Sequence, residues 1–253
     1  MILLAGLLLY FLSRRELRLA ARKAGFVSQV SHELKTPLTS IRMYSELLRD
    51  HDDGLAPPKR RRYLQVIADE SERLSRLVGN VLDFSRLDEG RKRYAPSPVD
   101  LAELLESAAE LCRQRAAAEG VELTLTLPPG PPAMCTIDRD SLLQVLHNLF
   151  DNALKYAAQG KKLELSLACR GRRREITLRD YGPGIPASAR AKIFRKFYRV
   201  DTALEAETSG FGLGLSIARN LMRDQKGDLK FVPASPGAAF IIVLPEDNCH
   251  GTD

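Results

Sequence analysis

The sequence predicts an α segment followed by an α/β segment: a long helical hairpin, then a mixed sheet with helices on one face. Three observations carry this. Apolar residues recur at helical spacing in two stripes, Val30, Leu34, Leu38, Ile41, Tyr44 and Leu48, then Leu64, Ile67, Leu74, Leu77, Val81 and Phe84. From about residue 99 onward, short alternating runs of strand character are interspersed with amphipathic helical runs. Between the halves lies Asp88-Glu-Gly-Arg-Lys-Arg-Tyr-Ala-Pro-Ser-Pro98, whose glycine, charges and two prolines mark residues 89–98 as a linker.

The first helix runs from Arg14 to about Asp50, and Asp52-Asp-Gly-Leu-Ala-Pro-Pro58 breaks it because glycine and paired prolines do not continue helical hydrogen bonding. The second runs to about Leu87. A lone hairpin buries one face of each helix and has too little core, so residues 26–88 are expected to pair with a second copy as a four-helix bundle. A structural stalk explains the stripes equally well. It does not explain why His32, Glu33 and Pro37 interrupt the pattern together.

In the second half, Leu101 to Ala118 reads as a helix, Val121 to Leu127 as a strand, and Pro128-Pro-Gly-Pro-Pro132 as a turn. Met134 to Ile137 is a short strand, Asp140 to Ala157 a helix, and Leu163 to Leu167 with Glu175 to Leu178 a strand pair. A helix starts near Gly212, and Asp228 to Val232 with Ala239 to Leu244 close the sheet. Residues 99–246 form this domain and 247–253 a tail.

Composition excludes several classes. At 44% hydrophobic and 28% charged residues, the 253-residue chain is neither generally disordered nor a polytopic membrane protein. Its net charge of +6 collects in Lys59-Arg-Arg-Arg62 and Arg172-Arg-Arg174, which read as a solvated helix start and a strand-connecting turn. Without aromatic interleaving or finger spacing, no nucleic-acid partner is expected. Cys112, Cys135, Cys169 and Cys249 are dispersed and read as free thiols in a reducing compartment.

Met1 to Leu12 is uninterrupted apolar sequence followed by Arg14, Arg15, Arg18, Arg22 and Lys23. It is short of the roughly 20 residues of a full crossing. A signal peptide would carry its positive charges ahead of the apolar run and a small-residue cleavage site behind it, and neither is present. Residues 1–12 are therefore read as the C-terminal part of a transmembrane helix and 13–25 as a juxtamembrane helix on the cytoplasmic side. That reading makes the recorded start late, or the chain a fragment, anchored at the inner (cytoplasmic) membrane with its other domains in the cytoplasm.

The chemistry points to phosphate. No Gly-x-x-x-x-Gly-Lys-Ser/Thr loop occurs, so a different cradle is needed. Gly210, Gly212 and Gly214 flank Leu213 and lead into the helix from Leu215, which lets backbone amides approach an anion at a positive helix end. A plain mobile loop would have the same composition. Asn148 and Asn152 share a helix face that Lys155 and Tyr156 extend, and such a pair can offer a carbonyl to a magnesium ion and an amide to phosphate. An ordinary polar face is the alternative. Asp180 ends a strand before Gly182, Gly184 and Ile185, so its carboxylate can accept from an exocyclic amine, or simply serve a turn. His32 offers a neutral imidazole nitrogen as phosphate acceptor, Glu33 can fix its tautomer, and Pro37 should bend the helix nearby.

Asn148-Leu-Phe-Asp-Asn-Ala-Leu-Lys-Tyr156, Asp180-Tyr-Gly-Pro-Gly-Ile185 and Gly210-Phe-Gly-Leu-Gly-Leu215, in that order, resemble the N, G1 and G2 boxes of the GHKL (Bergerat) ATP-binding domain. Histidine kinases, gyrase-type topoisomerases and related ATPases share that domain. Ile193-Phe-Arg-Lys-Phe-Tyr-Arg-Val-Asp201 is similar to its F box, which contributes Tyr198 and Arg199, and Thr202 to Ser209 would belong to the lid. His32-Glu-Leu-Lys-Thr-Pro37 resembles the H box of the HisKA-type histidine kinases.

The resemblance implies a two-component sensor histidine kinase that binds ATP and Mg²⁺. Asn152 would be the metal ligand, Asp180 the adenine reader, and Asn148, Lys155, Tyr156 and Arg199 would lie near phosphates or base. His32 would be autophosphorylated and would pass its phosphoryl group to an aspartate in the receiver domain of a response regulator, with Thr36 placed for a phosphatase reaction. Two other readings stand beside it: an ATP-binding scaffold or phosphatase without net kinase activity, and a gyrase-like or chaperone-like ATPase. Phe211, Tyr181 and Asp224-Gln-Lys-Gly227 depart from the usual pattern, the last replacing a more usual histidine and paired glycines.

Overall fold

The computed structural model describes residues 30–31, 34–50, 56–170, 173–200 and 212–245. Among these residues the chain divides into two compact units, with the boundary between Val81 and Leu82.

The first unit is helical. Residues 30–31 and 34–50 are helix (α1), and α2 spans Pro57–Asp88. Pro57 and Pro58 open α2 instead of lying in the break between the helices, because the N–H groups they lack would be unpaired in a first turn anyway. The Ala56 carbonyl accepts from Lys59 at 2.9 Å and from Arg60 at 3.1 Å to start the ladder. Tyr44 and Tyr63 bring α1 and α2 together, with ring centroids 5.0 Å apart. In this unit Leu77 and Pro37 are buried, whereas Leu38, Met43, Leu64 and Val78 are exposed.

The second unit holds β1 (Ser97–Asp100), α3 (Leu101–Ala118), β2 (Glu122–Thr126), β3 (Met134–Ile137), α4 (Arg139–Ala157), β4 (Lys162–Arg170) and β5 (Arg173–Asp180). A single turn α5 (Ala187–Arg190), then α6 (Gly214–Asp224), β6 (Asp228–Pro233) and β7 (Ala238–Val243) complete it. The five-stranded sheet has the order β2-β4-β5-β7-β6, with β2 parallel to β4 and the other pairs antiparallel. One sheet face buries Leu163, Leu165, Leu167, Ile176, Leu178, Leu229 and Ile242 with Leu105, Leu142, Leu146, Leu149, Phe150, Ile217 and Leu221 of the helices. Glu164, Ser166, Thr177 and Arg179 alternate with them on the other face and are half-buried.

β4 and β5 run further than the apolar cores of the sequence pattern. Their ends carry charged residues on the outer face, where Lys162 pairs with Glu164 at 2.7 Å and Arg173 with Glu175 at 2.6 Å. Ser97 and Pro98, read in sequence as linker, begin β1, which pairs antiparallel with β3 as a separate two-stranded sheet. Its inward residue Val99 is buried.

Asp138 fastens the start of this unit. Its carboxylate caps α4 by accepting from the Ser141 N–H at 2.8 Å and holds the linker by accepting from the Ala95 N–H at 2.7 Å. Its own N–H donates to Gln225 Oε1 at 2.8 Å, and Gln225 Nε2 donates to the Leu221 carbonyl at 3.1 Å. Tyr94 donates to Asp224 at 2.7 Å, so the linker is tied to the starts and ends of α4 and α6 respectively.

Candidate functional site

α4 supplies two asparagines one turn apart. Asn148 is buried and Asn152 half-buried, and Nδ2 of each is buried without a hydrogen-bond partner among the described residues. A buried amide donor left unpaired costs about 1–3 kcal/mol, so the pair is poised for an acceptor brought from outside. Gly214, the first residue of α6, lies against this site: a Cβ placed there would stand 3.6 Å from Asn148 Oδ1. Thus the residue that starts α6 and Asn148 of α4 share one site, with the amides of the first turn of α6 at its positive end.

Asp180, the last residue of β5, is buried. Its Oδ1 accepts from the Gly182 N–H at 3.0 Å and from the Ala238 N–H at 3.1 Å. Burial pushes this carboxyl up, and the two N–H donors and the Arg179 charge oppose the shift without cancelling it. Gly182 closes onto α4, where a Cβ would come within 2.5 Å of Ala157 Cβ, so only glycine lets the β5 end and the α4 end meet. Gly237, at φ +92°, passes under the Asp180 carbonyl so closely that any side chain would collide with it.

The structure therefore sets Gly214 against Asn148 on α4, and Gly182 with Asp180 against Ala157 at the end of the same helix. Gly184 and Ile185 follow in the same loop, and the Ile185 carbonyl accepts from Arg190 Nε at 2.9 Å. Gly212 packs under Phe197 and the Tyr198 carbonyl, and its own carbonyl accepts from the Phe197 N–H at 3.1 Å. Leu213 is buried and Leu215 half-buried where α6 begins. Lys155, Tyr198 and Arg199 are half-buried, and the Lys155 ammonium stands 5.1 Å from the ring centroid of Tyr156, which is exposed. Thr36 is exposed on α1. His32, Glu33 and Gly210 lie outside the described residues, as do residues 1–25. No helix among the described residues is long and apolar enough to cross a membrane.

Sequence reasoning missed Gly237 and Ala238, which hold Asp180 from 58 positions away. The Ser235-Pro-Gly237 run is a turn signal that could have flagged the place, though not its partner. It named Tyr181 only as a departure from the usual pattern; the ring takes the Arg179 guanidinium at 4.5 Å and the Lys162 ammonium at 5.0 Å on the outer face of the sheet.

Comparison with known proteins settles the family. Residues 22–90 match the His Kinase A (phospho-acceptor) domain, and residues 137–248 match the histidine kinase-, DNA gyrase B- and HSP90-like ATPase domain. The chain belongs to the two-component sensor histidine kinases. Among its family relatives, the signal transduction histidine-protein kinase BaeS of Escherichia coli is 32% identical over 87% of this chain. The drug sensory protein A of Synechocystis is 35% identical over 86%, and the sensor protein kinase WalK of Staphylococcus haemolyticus is 35% identical over 87%. The chain spans 46%, 34% and 36% of the length of these three relatives. Full-length ShkA, solved in complex with AMPPNP, superposes with a TM-score of 0.64 at 29% identity over 89% of this chain and 46% of its own. The Acinetobacter baumannii histidine kinase AdeS shares the fold, with a TM-score of 0.64 at 23% identity over 86% of this chain and 98% of its own.

Proposed function

We propose that this chain is the catalytic part of a sensor kinase: an ATP-dependent protein-histidine kinase that phosphorylates His32 and transfers the phosphoryl group to an aspartate of a response regulator's receiver domain. The observation that carries the reading is the pair of orphaned amides, Asn148 and Asn152, with Asn148 beside the glycine start of α6 and buried Asp180 in the same unit. Amide donors and helix-end N–H groups suit phosphate oxygens, and an acceptor-only carboxylate suits an exocyclic amine.

Asp180 reads the base, with Gly182, Gly184 and Ile185 shaping the loop around it. Asn148, Lys155, Tyr156, Tyr198 and Arg199 face phosphates or base, and Gly210, Gly212, Leu213, Gly214 and Leu215 form the phosphate-side wall. Asn152 would offer its Oδ1 to Mg²⁺, a hard cation for which an amide oxygen is an ordinary ligand. When bound, the ion neutralises charge on the transferring phosphoryl group. A nitrogen of the His32 imidazole attacks the terminal phosphorus as the bond to the bridging oxygen breaks, and ADP leaves. Glu33 holds the proton of the other ring nitrogen. Thr36 orients water when the phosphorylated regulator is hydrolysed.

The exposed Leu38, Met43, Leu64 and Val78 support a homodimer through residues 26–88. The apolar residues 1–12 and the arginines behind them support anchoring at the inner membrane with the catalytic unit in the cytoplasm. A gyrase-like or chaperone-like ATPase would not need the phospho-acceptor match over residues 22–90.

Incubation with γ-labelled ATP and Mg²⁺ should give an acid-labile, base-stable label on the wild type and none on His32→Gln. Steady phosphate release with no label on histidine would overturn the proposal.

A further inference from the structure

Among the described residues β6 is an edge strand, paired to β7 on one side only. Three of its residues, Lys230, Phe231 and Pro233, line a groove of about 470 Å³ together with Arg190, Ala191, Phe194 and Arg219. This groove is separate from the asparagine and Asp180 site described above.

Its floor is aromatic and fixed. Phe194 meets Phe240 edge-on at 6.5 Å, and Phe231 meets the same ring at 5.7 Å. The Arg219 guanidinium lies 4.4 Å from the Phe194 centroid and pairs with Asp228 at 3.0 Å, so its charge is largely spent. The remaining cations are not. Arg190 donates only its Nε, to the Ile185 carbonyl, and the exposed Lys230 ammonium has no ion pair or hydrogen bond among the described residues. No acidic side chain lines the groove.

An open strand edge, an apolar floor and two uncommitted cations together describe the receptor half of a strand-addition site. We propose that an extended acidic segment of a partner protein docks here as a strand beside β6, setting apolar side chains on Phe194 and Phe231 and carboxylates against Arg190 and Lys230. Charge complementarity selects this occupant. A second copy of the chain pairing β6 to β6 would bring Lys230 and Arg190 of both copies into one place, which repels. Single-stranded nucleic acid needs exposed ring faces for stacking, and these rings are half-buried and engaged by Phe240.

The test uses the isotope-labelled full chain and a blocked octapeptide of alternating glutamate and valine, with the lysine–valine peptide as control. The glutamate peptide should shift the β6 amides and those around Phe194, and bind more weakly as salt rises. Lys230→Glu, at an exposed position whose integrity thermal melting verifies, should weaken it about tenfold or more. Methylating alternate peptide nitrogens on the strand-pairing edge should abolish binding. The proposal is overturned by the absence of β6 shifts at millimolar peptide, by equal binding of the lysine peptide, or by unchanged affinity in Lys230→Glu. It is equally overturned if oligothymidine or phosphatidylserine vesicles shift the same amides at lower concentration than the glutamate peptide does.

Discussion

The two units solve the burial problem in opposite ways. The sheet unit hides most of its large aliphatic side chains, with Leu105, Leu142, Leu146, Leu165, Ile176, Leu221 and Ile242 at 0% exposure. The hairpin leaves Leu38 at 58%, Leu64 at 52% and Met43 at 46% exposed, although the same kind of stripe runs along its helices. Fully burying one such side chain is worth about 1.5–3 kcal/mol, so the sheet unit closes its own core while the hairpin presents a seam that a second copy would close. The contrast teaches that amphipathic periodicity reports a face to be covered and says nothing of whether the same chain covers it.

The largest break should come at Gly237. Gly237→Ala forces a side chain onto the Asp180 carbonyl at a left-handed φ, and should cost the sheet unit about 3 kcal/mol or more. Calorimetry should then show the sheet transition displaced downward, with hairpin helicity by circular dichroism retained. The hairpin is attacked separately by Leu38→Glu with Leu64→Glu. Each places a charge at the proposed seam and should cost the dimer about 2–3 kcal/mol, read as dissociation in sedimentation equilibrium, while nucleotide binding to the sheet unit stays as it was.

A sharper comparison within the sheet unit uses its carboxylates. Asp180→Asn should lower ATP affinity by about tenfold or more, measured by calorimetric titration, because an amide cannot replace an acceptor-only group toward an amine. The same change should raise thermal stability at neutral pH. Burial raises the folded-state carboxyl, so its ionised form opposes folding at all pH values above that raised value, and the advantage of Asn disappears below about pH 4.

Asp138 and Asp228 have the opposite sign. Burial raises both, but hydrogen bonds from Ala95 and Ser141 with the Lys92 charge outweigh it at Asp138, and Arg219 with Arg223 do so at Asp228. Their folded-state values are lowered, so their stabilisation is complete above about pH 4 and is lost as pH falls through the lowered values. Acid melts of Asp138→Asn and Asp228→Asn should be flatter than wild type. The smallest effect is expected at Lys226, which follows α6 at φ 66°. Lys226→Gly should stabilise the sheet unit by about 0.5–1 kcal/mol in urea titration, since glycine adopts that conformation without penalty.

Much of this was legible in the residues. α3, α4 and β3 fall within a residue of their predicted bounds because their apolar spacing is strict, and the glycines Gly182 and Gly214 both pack on α4. What escaped was non-local. β1 hid because Pro98 looks like punctuation until β3 is placed beside it. The support of Asp180 by Ala238 hid because no local period links positions on β5 and β7, and the Asp138–Gln225 bond hid for the same reason.

That last bond explains a departure from the family pattern. Gln225 lies in the Asp224–Gly227 run that replaces a more usual histidine and paired glycines, and what its position requires is one acceptor, toward the Asp138 N–H, and one donor, toward the Leu221 carbonyl. A primary amide and an uncharged imidazole satisfy that grammar alike. Only the imidazole would forfeit its acceptor on gaining a proton near pH 6.5. By carrying glutamine, this sequence keeps the brace between α4 and α6 deaf to mild acidification.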